Sequence, residues 1–144
     1  MAGKGNTTDA NLLKLIFQAV AIANLADNAA SSPLTNLFVS LHTADPGPAG
    51  DQTTSEANYT GYARVAVART SGGWSIASQT ISNVGAITFG ACTAGSNTIT
   101  HAAIGTLTSG AGILLYSGAL TASLAVSNGI TPSFAALALT VTES

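Results

Sequence analysis

The chain has 144 residues, 47% hydrophobic and only 7% charged, with four Lys and Arg against six Asp and Glu for a net charge of −2. That length makes one domain, and four isolated cations, Lys4, Lys14, Arg64 and Arg69, form no basic stripe, so nucleic acid is excluded as a partner. A monomer of this size exposes roughly 6,800 Å², of which the charged side chains cover roughly a fifth; the composition favours burial among neighbouring subunits, and self-association as a dimer or trimer is expected.

Residues 1–11 are polar and carry no signal-peptide pattern, so synthesis in the cytosol is expected. Thr8 or Asp9 is placed to cap a helix that runs without Gly or Pro to about Asp27. Leu12, Ile16, Val20 and Ala23 repeat at helical spacing, while Leu13, Leu15, Phe17, Ile22 and Leu25 spread the apolar surface most of the way round. Such a helix is buried on more than one side, against its own sheet or, through Leu12 and Ile16, against another subunit. Residues 12–26 are broken by Lys14, Gln18 and Asn24 and are too short to span a bilayer, so no membrane partner is expected.

The chain changes character near Pro33, which divides it into a helical segment, residues 1–33, and a β domain, residues 34–144. Leu37, Val39 and Leu41 alternate with Phe38, Ser40 and His42, and residues 62–70 follow the same period. Further strands are predicted at 74–77, 80–83, 86–89, 97–105, 113–120, 123–126 and 134–142, and within the last Leu137–Thr142 alternate so regularly that they read as a well-paired closing strand. A spacing of about ten residues, with no alternation of strands and helices, predicts a mainly β fold: a jelly-roll-like antiparallel sandwich or barrel behind one N-terminal helix.

Residues 43–58 interrupt this pattern. They hold Pro46 and Pro48 and three of the six acidic residues, Asp45, Asp51 and Glu56, and read as an extended contact-making arm or a protruding Ω-like loop. His42 with Asp45, Asp51 and Glu56 is the one neighbourhood able to supply metal ligands or acid–base groups, with His101 more distant. No ligand pair at fixed spacing, H-E-x-x-H or calcium loop accompanies it, so a solvated loop beside a strand is expected and no metal or cofactor. The chain holds no G-x-S-x-G elbow, and Gly72-Gly73 and Gly110-Ala111-Gly112 precede strands, so they read as hairpin turns and not as phosphate cradles. An enzyme is not expected. Cys92 is alone, which removes any intrachain disulfide, and sits in an apolar run that predicts burial. Arg64 and Arg69, five apart on one predicted strand, fall on opposite faces, and at least one is expected to pair with a carboxylate at a subunit boundary or sheet end.

Four stretches, Leu37-Phe-Val-Ser-Leu-His-Thr-Ala-Asp-Pro-Gly47, Tyr59-Thr-Gly-Tyr-Ala-Arg-Val-Ala-Val-Ala-Arg69, Ile87-Thr-Phe-Gly-Ala-Cys-Thr-Ala-Gly95 and Leu115-Tyr-Ser-Gly-Ala-Leu120 with Val126-Ser-Asn-Gly-Ile-Thr-Pro-Ser-Phe134, resemble a family of small tailed-phage virion proteins. Its members are often labelled tail fibre proteins, while jelly-roll proteins of similar size decorate or cement phage heads. The resemblance covers nearly everything after residue 36 and implies a structural role in the virion, after synthesis in the bacterial cytoplasm. The lack of any internal period argues against a fibre shaft. The expectation is therefore a capsid decoration protein that binds the outside of the major capsid protein lattice, with Asp45, Pro46, Pro48, Asp51, Glu56, Arg64, Arg69, Leu12 and Ile16 as contact residues. A tail-tip or tail-fibre-associated role in host adsorption is the alternative; a small-ligand barrel and a hydrolase using His42 or His101 are more remote.

Overall fold

A computed structural model describes residues 6–22 and 33–143. The fold is mainly β, 41% strand and 9% helix, with one N-terminal helix and antiparallel sheets; it is sandwich-like and not a closed barrel. The elements run α1 (Asn6–Gln18), β1 (Asn36–His42), β2 (Val65–Ala68), β3 (Trp74–Ala77), β4 (Thr80–Asn83), β5 (Ile87–Thr88), β6 (Asn97–Gly105), β7 (Leu114–Val126), β8 (Ser133–Phe134) and β9 (Thr140–Thr142). They form sheets ordered β2-β1-β6-β7, β3-β4-β9 and β5-β8. The chain groups into two compact units: α1 with Val67–Ile87 and the described residues from Phe134 onward, and Leu37–Ala66 with Thr88–Ser133. Each unit is discontinuous in sequence, and the chain passes between them within β1, β2, β5 and β8.

In the first unit α1 packs on β3 and β4. Its buried stripe is Asp9, Leu13 and Phe17, at four-residue spacing, and Leu12 and Ile16 are only half-buried. Phe17 meets Trp74 edge-on, centroids 4.7 Å apart, and Gln18 Nε2 donates to the Trp74 carbonyl at 3.0 Å. The helix begins at Asn6, so Thr8 and Asp9 lie inside its first turn rather than capping it, and Asp9 accepts from Gln79 Nε2 at 2.7 Å. It also ends at Gln18 and not near Asp27; residues 23–27 of the expected helix lie outside the described residues. The stop comes from tertiary structure. Ala19 takes a left-handed φ of 56°, and the Arg69 guanidinium donates to the Leu15 and Ile16 carbonyls, two of the orphan acceptors that a helix end leaves.

Strands β3, β4 and β9 pair antiparallel, with Ile76 opposite Ile81 and Ile81 opposite Val141. The strand expected over 134–142 is broken into β8 and β9. Asn83, fully buried, explains the break: its Nδ2 donates to the Gly85 and Ala135 carbonyls at 2.7 and 2.8 Å, and its Oδ1 accepts from Leu139 N at 2.9 Å. Leu137, whose N–H reaches the Asn83 carbonyl at 2.8 Å, adopts φ 64° and ends the alternation.

In the second unit β1 is interior to its sheet, so Ser40 and His42 are buried along with Leu37, Val39 and Leu41. β1 and β6 run antiparallel with Leu41 opposite Ala102 and His42 opposite His101. The strand expected over 62–70 shrinks to β2, so Arg64 and Arg69 both lie outside it and are not two faces of one strand. The two strands expected at 113–120 and 123–126 are one, β7. The expected gap is a bulge: Ile99 faces Leu124 and His101 faces Ala119, so residues 120–123 stand against Thr100 alone. Cys92 is buried and free, as its apolar surroundings predict.

Candidate interaction surface

The chemistry of the second unit gathers at residues 43–64 and at the connection between β6 and β7. Glu56 and Arg64 form a bidentate pair, Nε to Oε1 at 2.6 Å and Nη2 to Oε2 at 2.8 Å, so the expected pairing of an arginine with a carboxylate is present. Arg64 is 8% exposed, and its remaining donors reach the Leu107 and Gly110 carbonyls at 2.9 and 2.8 Å. Four of its five N–H donors are thereby used, as a buried guanidinium requires most of them to be. The Glu56 hydrogen bonds hold its proton more tightly than usual. Tyr62 joins the pair, donating to Glu56 Oε1 at 2.9 Å and accepting from Leu41 N at 3.1 Å, and burial pushes its phenol well above the ordinary value.

His42 stands beside this pair, fully buried, with Nε2 2.8 Å from Ser40 Oγ and Nδ1 2.8 Å from the Thr54 carbonyl. A carbonyl can only accept, so Nδ1 carries the proton and Nε2 of the neutral ring accepts from Ser40. Burial lowers the His42 pKa, partly offset by the Thr54 carbonyl and by Glu56. Both ring nitrogens and the Ser40 hydroxyl are thus committed inside the protein. The expectation of a solvated group is corrected for His42, which is fully buried, while Glu56, its side chain 17% exposed, is held by Arg64 and Tyr62. Asp45 and Asp51 do not join them. Asp45 accepts from Gly47 N at 3.0 Å, and Asp51 accepts from Thr53 N and Oγ1 at 2.7 and 2.6 Å, bonds that lower its pKa. Among the described residues, no three His, Cys, Asp or Glu side chains are grouped closely enough to hold a metal ion.

Residues 43–58 leave and rejoin the sheet at neighbouring points, with Thr43 N donating to the Ser55 carbonyl at 2.8 Å and His42 bridging Glu56. The middle of the segment is anchored too. Gln52, fully buried, accepts from Thr106 N and Leu107 N at 2.9 Å each and donates to the Leu107 carbonyl at 3.2 Å, while its own N–H reaches the Ala111 carbonyl at 2.8 Å. A Cβ at Gly105 or Gly112 would overlap the Gln52 side chain, so both positions need glycine. Asp45, Gly47, Pro48 and Gly50 then form one wall of a cleft of about 380 Å³ whose other wall is Leu114, Leu115, Tyr116 and Ser117 of β7.

Of the expected contact residues, Asp45 and Pro48 are exposed on this cleft, Pro46 is buried, and Asp51, Glu56 and Arg64 are held in the contacts above. Leu12, Ile16 and Arg69 belong to the first unit, where Arg69 closes α1 and burial lowers its pKa. Sequence reasoning missed Gln52 and Tyr62, and it missed β7 as a surface. The chain contains no Asp, Glu, Lys or Arg between Arg69 and Glu143. Within that run β7 is an edge strand among the described residues, exposed at 117–119 and again at 121–125. Leu124 on it, and Leu107, Ile113 and Ile130 in the connections around it, are exposed large apolar residues, Ile113 by 65%.

An antiparallel β scaffold with its polar groups locked inside and an uncharged strand laid open has the character of a structural component, and the chain is a bacteriophage virion structural protein. Residues 5–142 match the family described as Podophage GP4 fiber I protein gp80, and the chain belongs to that family. No curated protein matches it. Among the described residues, no helix is long and apolar enough to cross a membrane.

Proposed function

We propose that the chain is a packing subunit of the tail fibre apparatus, acting by binding alone and without catalysis. The family match, which spans residues 5–142 and carries a fibre description, is the observation that supports this reading. The uncharged β7 surface supplies its physical means: strands that offer no charge to solvent are stabilised by apposition to neighbouring subunits. Weak contacts of this kind hold firmly when each subunit touches several others at once.

Decoration of the head, by contact with the major capsid protein, is the second reading, favoured by the lack of an internal repeat. In that reading the segment 43–58 reaches as an arm onto the major capsid protein. That segment is tied by Gln52 and Glu56 to its own unit, which leaves Asp45 and Pro48 to make contacts close to the domain surface. Gold-labelled antibodies raised against residues 44–50 and applied to intact virions test the proposal. Label confined to the tail is expected, and label spread over the heads would overturn it in favour of decoration.

A further inference from the structure

Of the asparagines in the chain, only Asn128 is followed by glycine. The pair forms the centre of a turn at residues 127–130, just past the end of β7, and all four residues are exposed. Ile130 N donates to the Ser127 carbonyl at 2.9 Å, and Gly129 takes a φ of 89° while Asn128 keeps a negative one, the pattern of a type II turn, which favours glycine in its third place. The turn is docked on residues 89–92, which follow β5. Gly129 N donates to the Cys92 carbonyl and Cys92 N to the Ile130 carbonyl, both at 2.8 Å, and Phe89 N reaches the Pro132 carbonyl at 3.0 Å.

Asparagine before glycine is a reactive arrangement. The Gly129 nitrogen is placed to close a five-membered ring on the Asn128 Cγ, and glycine, lacking Cβ, neither shields that nitrogen nor restricts the rotation that brings it there. Once the nitrogen has given its proton to hydroxide and attacked the carboxamide, the N–Cγ bond forms, the Cγ–Nδ2 bond breaks, and ammonia leaves after taking a proton from water. The product is a cyclic imide. Water then opens the ring at Cγ, which restores the ordinary chain with aspartate, or at the main-chain carbonyl carbon, which gives isoaspartate with the chain running through Cγ. The net change is one water consumed and one ammonia released, with no other reactant.

We propose that Asn128 is a latent self-modification site, held shut by the docked turn and converted to aspartate or isoaspartate when the turn lets go of Cys92. Two features hold it shut. Ring closure needs the Gly129 nitrogen nearly eclipsed with the Asn128 Cβ, whereas the ψ of about +120° at the second residue of a type II turn keeps it rotated away. The proton that must be removed is also engaged with the Cys92 carbonyl. Exposure supplies water and hydroxide, so release of the turn is the missing step. Conversion is irreversible. Isoaspartate lengthens the backbone by one carbon between residues 128 and 129, so Gly129 N and the Ile130 carbonyl no longer fit Cys92 together. Either product also places a carboxylate in the run between Arg69 and Glu143, which otherwise has no charged side chain. Each copy whose turn has opened is thereby marked.

This inference is independent of where in the virion the protein resides, and purified full-length chain suffices to test it. The protein is incubated at mildly alkaline pH in buffer and in concentrated urea, and conversion is followed by peptide mass spectrometry. In urea Asn128 is expected to convert faster than any other asparagine, and in buffer about tenfold more slowly than in urea, or slower still. Hydrogen exchange at the Gly129 amide needs the same opening, so the factor by which the native turn slows exchange is expected to match the factor for conversion within about threefold. Ile130→Pro removes the N–H that closes the turn and is expected to raise both rates together, even if it loosens more of the fold. Conversion as fast in buffer as in urea, no preference for Asn128 in urea, or a Gly129 amide that exchanges freely while Asn128 stays intact would overturn the proposal.

Discussion

At the scale of the residue, side chains with several partners decide where elements stop and how loops are held. Buried Asn83 and half-buried Arg69 end elements in the first unit, Gln52 and Arg64 fasten loops in the second, and each reaches backbone groups far away in sequence. Alternation marked residues 74–77, 80–83 and 97–105 as strands, and the structure has strands over the same residues. The same reasoning ran α1 too far, because the residue that receives its last carbonyls is Arg69 and no Gly or Pro at residue 19 announces the turn. Nor did it divide 134–142, because the competing hydrogen bonds belong to Asn83, a residue that sequence places in a different strand. Such long-range side-chain bonds leave no periodic signal. His42 gives a prediction at this scale. Its folded pKa lies below the value near 6.5 of the unfolded chain, so below that pH the unfolded state binds the extra proton. The His42 contribution to stability is thus fully present above about pH 6.5 and is lost as pH falls toward the folded pKa. Urea unfolding at pH 7.5, 6.5 and 5.5 is expected to show the midpoint falling only over the lower interval, and His42→Gln to flatten that fall.

At the scale of the element, the segment 43–58 shows how a sequence that looks like a free arm becomes part of a unit. Its composition, Pro46, Pro48 and three acidic residues, correctly excluded helix and strand. It could not reveal the anchors, since a buried glutamine and two glycines for it to lie against read as ordinary loop residues. The tie between this loop and the connection from β6 to β7 rests on the absence of a Cβ at Gly105. Gly105→Ala is therefore expected to cost about 1–3 kcal/mol through overpacking, or about 2–4 °C in Tm for each kcal/mol at this chain length. It should also expose residues 46–50 to proteolysis. Gln52→Ala removes the overlap but strands the N–H groups of Thr106 and Leu107, so the two substitutions combined should cost less than the sum of their separate effects. Strict additivity in thermal unfolding would show that Gln52 does not fill the space beside Gly105.

At the scale of the whole molecule, charge is distributed as unevenly as it is sparse. Nine of the ten charged residues precede residue 70, and seven of the nine strands lie in the uncharged remainder, where Ser, Thr, Ala and Gly meet the solvent. The low charge raised the expectation of assembly, and the resemblance of four stretches to phage virion proteins agrees with the family to which the chain belongs. What the composition could not give is the location of the open surface, because only the strand order places β7 at an edge. The proposed role is that of a charge-poor packing subunit built into the tail. Its most direct test separates purified virions into heads and tails and counts copies of this protein in each fraction by quantitative mass spectrometry. The account predicts the protein with the tails, in a small fixed number per virion; hundreds of copies remaining with the heads would contradict it.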